Sequence, residues 1–179
     1  MNEIPVYFKK PGKLNTEQTL IIAREAAARN KIKKIILASS SGETALQAAE
    51  IFNGTGIQAI VTGVENYGWI LDSEKQKKMK LSGLTLLPCG KYLAPEVANI
   101  LRRFSQGVKV AIEIAAMAGD AGLINDKEKI ISIGGTGFGA DTAILLSASF
   151  TKSKRDFDVL RLFCLPERPD EEIVDNSMF

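Results

Sequence analysis

Short apolar runs alternate with amphipathic stretches along most of the chain. Runs rich in β-branched residues predict strands at 4–8, 33–38, 57–64, 84–87, 130–133, 143–147 and 157–165. The segments between them predict helices at 15–29, 42–52 and 73–80, another opened by Pro95, and one at 108–121. Strands that alternate with helices pair in parallel through right-handed crossovers. We therefore predict a three-layer α/β/α fold with a mostly parallel sheet and a C-terminal antiparallel hairpin.

Two of the predicted helices have distinctive apolar faces. The helix opened by Pro95 is amphipathic and carries Val97, Ile100, Leu101 and Phe104. The helix at 108–121 is apolar on nearly all sides, which predicts burial between layers. Glu113 and Asp120 interrupt it on roughly one face, and a buried acid is costly unless it is paired. Pairing with a lysine or capping backbone amides is favoured over a role as an acid near a ligand or as a general base.

Composition narrows the class of protein. The 179 residues are 45% hydrophobic and 25% charged, which suits one domain, 1–179, with an acidic, loosely held tail at 166–179. The net charge of +2 gives no electrostatic case for binding nucleic acid or a membrane surface. The N-terminus does not resemble a signal peptide, and the longest apolar stretch is too short to span a bilayer. We expect a cytoplasmic protein with two reduced thiols, Cys89 and Cys164.

Histidine is absent from the sequence. This excludes a Ser-His-Asp triad, a Cys-His pair and histidine metal ligands. Any acid–base chemistry would fall to Asp, Glu, Lys, Tyr or Cys side chains, and we expect no metal site.

The strand at 33–38 ends in a serine loop, residues 39–42, which leads into the next helix. Hydroxyl groups, backbone N–H groups and a helix N-terminus converge there, and together they favour an anion such as phosphate. The candidate ligands are Ser39, Ser40, Ser41, Gly42, Glu43 and Thr44. In the alternative, Ser41 only caps the helix and the other serines form a turn. Capping needs one such residue rather than three, so we favour ligand binding.

A second candidate is the glycine loop, residues 134–142, which follows the strand at 130–133. Its spacing is GxGxG rather than GxGxxG, so a dinucleotide-binding interpretation is weak. Its amides could instead close over a ligand, or it could be a plain connection between strands. The candidate residues are Gly135, Thr136, Gly137, Gly139, Asp141 and Thr142. The aromatic residues Tyr67, Trp69 and Phe138 could stack on a planar ring or simply pack locally.

Segments 34–52 and 130–149 resemble the C-terminal domain of pyruvate kinase. In that domain a Ser/Thr-Gly loop binds the phosphate of a sugar bisphosphate effector, and the loop of the closing hairpin lies over it. The whole chain also resembles a small group of mostly archaeal, stand-alone proteins described as pyruvate-kinase alpha/beta domain-like. That resemblance rests on 7–8, 11–13, 15–16, 40–45, 107–118, 120–122, 135–137 and 139–143.

The resemblance implies a phosphorylated ligand, most plausibly flavin mononucleotide (FMN), between the serine loop and the glycine loop. Asn15 and Thr16 would support this site from the first helix. The chain departs from the group at 88–95, where a histidine is expected and Cys89-Gly90-Lys91-Tyr92 is found. Pyruvate kinase chemistry needs a (β/α)₈ barrel of about 250 residues, so we do not expect that activity.

Two other functions stay open at this stage. A flavin-dependent oxidoreductase or an enzyme acting on a phosphate ester would need a catalytic group, and the candidates are Glu113, Asp141, Lys91 and Cys89. A regulatory module would instead bind an effector without chemistry and form homo-oligomers. In that case the helix at 108–121 would be either core or interface.

Overall fold

The structure is a computed structural model that describes residues 4–63, 73–90, 93–150 and 155–167. The strands are β1 (Val6–Phe8), β2 (Lys34–Ala38), β3 (Gln58–Thr62), β4 (Thr85–Leu87), β5 (Lys129–Gly134), β6 (Thr142–Phe150) and β7 (Arg155–Pro166). The helices are α1 (Thr16–Asn30), α2 (Glu43–Phe52), α3 (Ser73–Leu81), α4 (Pro95–Arg102) and α5 (Gln106–Asp120). A 3₁₀ turn at Lys13–Asn15 precedes α1. All the predicted elements are present, with their ends shifted by a few residues.

The strands form one sheet in the order β1-β7-β6-β5-β2-β3-β4. Parallel pairs join β5 to β2, β2 to β3 and β3 to β4, which confirms the predicted parallel sheet. The antiparallel part is larger than a hairpin, because β7 also pairs antiparallel with β6. The first strand, β1, lies at the far edge and pairs in parallel with β7.

Helices cover both faces of the sheet, so the predicted three layers are confirmed. Residues Ile35 and Leu37 of β2 point to a core shared with α1 and α2. Between them, Ile36 points to a second core built on α5. A central parallel strand is buried on both faces, and β2 therefore reads as a continuous apolar run instead of an alternating one.

The two helices on the second face are buried to very different extents. In α5, 12 of the 15 residues are buried, which confirms the prediction of a helix between layers. In α4, Ala98 is the buried residue among eight, although this helix is strongly amphipathic. The amphipathic pattern at 95–104 therefore does not turn its apolar side toward the core.

The sequence predicted a loosely held tail from residue 166, but the last strand of the sheet extends through that residue. Pro166 is the last residue of β7, and the backbone N–H of Glu167 donates to the carbonyl of Phe8 at 2.7 Å. Both residues therefore extend the pairing with β1. The rest of the predicted tail, 168–179, lies outside the described residues.

Candidate functional site

Strands β2 and β5 are neighbours at the centre of the sheet, and their carboxyl ends open toward the same edge. Leu37 lies opposite Ile133, so the serine loop and the glycine loop begin side by side. The chain leaves β2 toward β3, whereas it leaves β5 toward β6 on the other side. Such a reversal of direction opens a crevice between two parallel strands, where ligands of open α/β sheets usually bind.

The serine loop uses one of its hydroxyl groups to begin α2. Ser39 is buried, and its Oγ accepts from the backbone N–H of Ala45 at 3.1 Å. Ser41 Oγ lies 3.5 Å from the N–H of Glu43, at the limit of a hydrogen bond. The main capping hydroxyl is therefore that of Ser39 and not of Ser41. Gly42, at the N-cap, has φ +80°, a left-handed conformation that favours glycine.

The remaining candidates of this loop lie at the start of α2. Ser40 and Ser41 are half-buried, whereas Thr44 is buried. In the described part of the chain, the backbone N–H of Thr44 has no protein acceptor. The first turn of α2 thus keeps donor capacity and the partial positive charge of a helix N-terminus.

Two lysines approach the first turn of α2 from different elements. Lys13 Nζ lies 2.7 Å from Glu43 Oε2, and Lys75 Nζ lies 3.5 Å from the carbonyl of Ser41. The hydrogen bond and charge of Lys13, and more weakly the charge of Lys75, hold the pKa of Glu43 below its usual range. Neither lysine could be identified from the sequence, because the 3₁₀ turn and helix α3 come close to the serine loop only after folding.

Asp141, a predicted ligand, is directed into the base of the glycine loop. It is fully buried, and its Oδ2 accepts from the backbone N–H of Gly12 at 2.9 Å and of Thr136 at 3.1 Å. Its Oδ1 accepts from Thr142 Oγ1 at 2.8 Å. The carboxylate therefore ties the two ends of the glycine loop to the segment before α1.

Thr16 supports the glycine loop from the first helix. Its Oγ1 accepts from the N–H of Ala140 at 3.0 Å and donates to the carbonyl of Lys13 at 2.8 Å. Gly139 has φ +90°, and a Cβ there would lie 2.5 Å from Thr16 Oγ1. Asn15 occupies the N-cap of α1 without a side-chain capping hydrogen bond, and its Nδ2 donates to the carbonyl of Lys10 at 2.7 Å.

The other candidate residues of the glycine loop lie either at its tightly packed base or at its exposed tip. A Cβ on Gly135 would collide with the carbonyl oxygen of Gly139, so the base of the loop is tightly closed. Thr142 lies against Gly107 at the start of α5. The tip is open, since a Cβ on Gly137 would meet nothing within 4 Å and Phe138 is 57% exposed. Thr136 is half-buried between the base and the tip.

The catalytic candidates are scattered over the molecule. Glu113 is buried and pairs with Lys109 Nζ at 2.5 Å, the lysine pairing that the sequence favoured, whereas Asp120 is exposed.

Cys89 is half-buried just after β4, at the carboxyl edge of the sheet. Burial raises the pKa of the Cys164 thiol to about 12. Lys91, Tyr67 and Trp69 lie outside the described residues.

A cleft of about 460 Å³ lies at the opposite edge of the sheet, beside the end of α1. Arg24, Lys31 and Lys33 contribute positive charge to it, together with Glu25. None of the predicted site residues lines this cleft. The C-terminus of α1 lies there, and the negative end of a helix disfavours an anion. The crevice between β2 and β5 is therefore the better candidate for an anion site.

None of the helices in the described part of the chain is long and apolar enough to cross a membrane.

Comparison with known proteins identifies the family. The family model described as "Pyruvate kinase, alpha/beta domain" matches residues 17–146. A pyruvate kinase from Cryptosporidium parvum shares 17% identity, with a TM-score of 0.45 over 73% of this chain and 22% of that one. A second structure of the Cryptosporidium parvum enzyme matches with 17% identity and a TM-score of 0.44, over 77% of this chain and 23% of that one. The chain thus spans less than a quarter of the length of these enzymes, and it belongs to the pyruvate kinase alpha/beta domain family.

Proposed function

We propose that the crevice between β2 and β5 binds the phosphate group of a small molecule, with FMN as the first candidate. The observation that carries the proposal is the meeting of Lys13, Lys75 and the first turn of α2 at the serine loop. These groups come from three separate elements, and all of them attract negative charge.

The donor set suits a phosphate better than a neutral ligand. The N–H of Thr44 and the hydroxyl of Ser41 lie in the first turn and in the loop before it, within the region that the two lysines approach. Lysine binds phosphate as a flexible point charge, and helix N-termini add oriented amides. Glu43 lowers the local positive charge because its carboxylate pairs with Lys13, and Lys75 adds a second cation at the loop.

Apolar groups lie near the donor set and suit the ring of a phosphorylated aromatic molecule. Phe138, 57% exposed, stands at the tip of the glycine loop. Leu14, 92% exposed, lies in the 3₁₀ turn against which Gly139 packs. An isoalloxazine ring could cover these side chains while its phosphate reaches the serine loop. Flavin, when bound, supplies redox chemistry.

Among the described residues, the two acidic catalytic candidates already have partners within the protein, which favours binding without catalysis. Asp141 is held by the glycine loop and Glu113 by Lys109. We therefore rank an effector-binding module above a flavin-dependent oxidoreductase. Reduction of bound flavin by a nicotinamide dinucleotide would reverse this ranking.

The proposal is tested by titrating the protein with FMN, riboflavin and a sugar phosphate, read by calorimetry and by the rise in melting temperature. We expect FMN to bind more tightly than riboflavin, because riboflavin lacks the phosphate. Lys75→Ala should weaken FMN about three- to tenfold, whereas Lys129→Ala, an equal charge change at the opposite edge of the sheet, should not. Absence of binding by both phosphorylated ligands, or equal binding of riboflavin and FMN, would contradict the proposal.

A further inference from the structure

Helix α4 presents a row of apolar side chains to solvent. Val97, Ile100 and Phe104 are 44%, 64% and 58% exposed and recur every three or four residues. Phe104 follows the last turn, where its N–H donates to the carbonyl of Leu101 at 3.1 Å, so the row continues past the helix end. We call Val97, Ile100 and Phe104 the α4 stripe.

The stripe faces away from the body of the protein. Ala98, on the other side of the helix, is buried, and Arg102 Nε donates to the Oε1 of Gln106 in α5 at 2.8 Å. These contacts set the orientation of α4 on α5. A surface helix usually turns its apolar side inward, and a contiguous exposed apolar patch marks an interaction site.

Charges beside the stripe indicate what covers it. Glu96 and Arg103 are exposed, and at seven residues apart they flank the same side of the stripe. In an antiparallel pair of identical helices related by a two-fold axis, that side of one helix faces the same side of the other, and the two sequences run in opposite directions. Glu96 then lies beside Arg103 of the partner subunit, and the two-fold axis repeats the contact. In a parallel pair that side would face the opposite side of the partner helix, so Glu96 and Arg103 would not meet.

We propose that two copies of this chain associate through antiparallel packing of α4 on α4, with Ile100 near the two-fold axis. The eight residues of α4 span about 12 Å, so the contact lies at the small end of specific interfaces. A reversible dimer with a dissociation constant in the micromolar range is expected. This inference is independent of ligand binding at the crevice.

The first test measures mass by sedimentation velocity and light scattering from about 1 to about 200 µM protein. The chain should shift from monomer to dimer over this range. Ile100→Asp should keep it monomeric at every concentration, because burying a carboxylate in the stripe is costly. Leu81→Asp, at an exposed apolar position on α3, is the matched control and should dimerise normally.

The second test exchanges the charges and needs no change in the stripe. Glu96→Arg and Arg103→Glu should each weaken the dimer about tenfold, and the double variant should recover most of the loss. Circular dichroism should show the same helix content in all three. A wild-type chain that stays monomeric, dimerisation that Ile100→Asp leaves intact, or a double variant as weak as the singles would each overturn the proposal. A monomer would show that α4 is covered by a different partner or by none.

Discussion

The serine loop and the glycine loop lie side by side at the same edge of the sheet, but they use their polar groups differently. In the glycine loop, Asp141 and Thr16 form hydrogen bonds that connect the loop to itself and to the segment before α1. In the serine loop, Ser39 holds the loop to α2, whereas Ser41 and Glu43 lie closer to solvent beside two lysines.

Under the proposed function, this difference separates stability from phosphate binding. Polar groups that are satisfied inside the protein contribute to folding, and they cost free energy when one partner is removed. Polar groups at a crevice with cations nearby contribute little to folding but are available to a ligand. Substitutions in the glycine loop should therefore lower stability, whereas substitutions in the serine loop should change affinity.

The largest effect is expected from Asp141→Ala. Loss of the buried carboxylate leaves the N–H groups of Gly12 and Thr136 without their acceptor, at a cost of about 3–5 kcal/mol in the free energy of unfolding. Ser41→Ala is the control from the other loop and should cost less than about 1 kcal/mol. Urea unfolding measures both. Equal losses would show that the two loops do not differ in this way.

A smaller effect is expected from Gly139→Ala. A Cβ at this position would lie 2.5 Å from Thr16 Oγ1 and 2.6 Å from the Cα of Lys13, so we expect a loss of about 2–3 kcal/mol. Gly137→Ala is the matched control, because Gly137 also has a positive φ but open space around it. It should cost about 1 kcal/mol through backbone strain alone. If thermal unfolding gave the same loss for both variants, the base of the loop would not be tightly packed on α1.

The smallest effect concerns the serine loop. Glu43→Gln removes the carboxylate that pairs with Lys13, and the pair is well exposed, so stability should change by less than about 0.5 kcal/mol. Affinity for FMN or inorganic phosphate should rise about two- to fourfold, because a competing anion is gone. Calorimetric titration of the unchanged protein and of Glu43→Gln with FMN and with inorganic phosphate measures this. A lower affinity in Glu43→Gln would indicate that the carboxylate itself contacts the ligand.

Several features followed from the sequence because their physical cause is local. Apolar runs of strand length at 33–38 and 57–64 and the helical period at 42–52 reflect side-chain positions within one element. The alternation of these elements predicted the parallel sheet, and Ser39–Gly42 after a strand identified the start of α2 as a candidate anion site. The near-absence of polar residues at 108–121 predicted a buried helix.

Other features depended on contacts between distant segments. Glu43 and Lys13 are 30 residues apart, and Asp141 and Gly12 are 129 apart. The side of α4 that faces solvent could not be predicted either, because periodicity shows that a helix has an apolar face but not what that face packs against.

The sequence by itself determined the elements, their order and the two loops that follow β2 and β5. The tertiary structure alone decided which of the loops' polar groups are consumed by folding and which stay available. It also decided that the first strand joins β7 at the sheet edge. The reason is that hydrogen bonds and ion pairs act only over a few ångströms, so a side chain's role depends on neighbours that the linear order does not reveal.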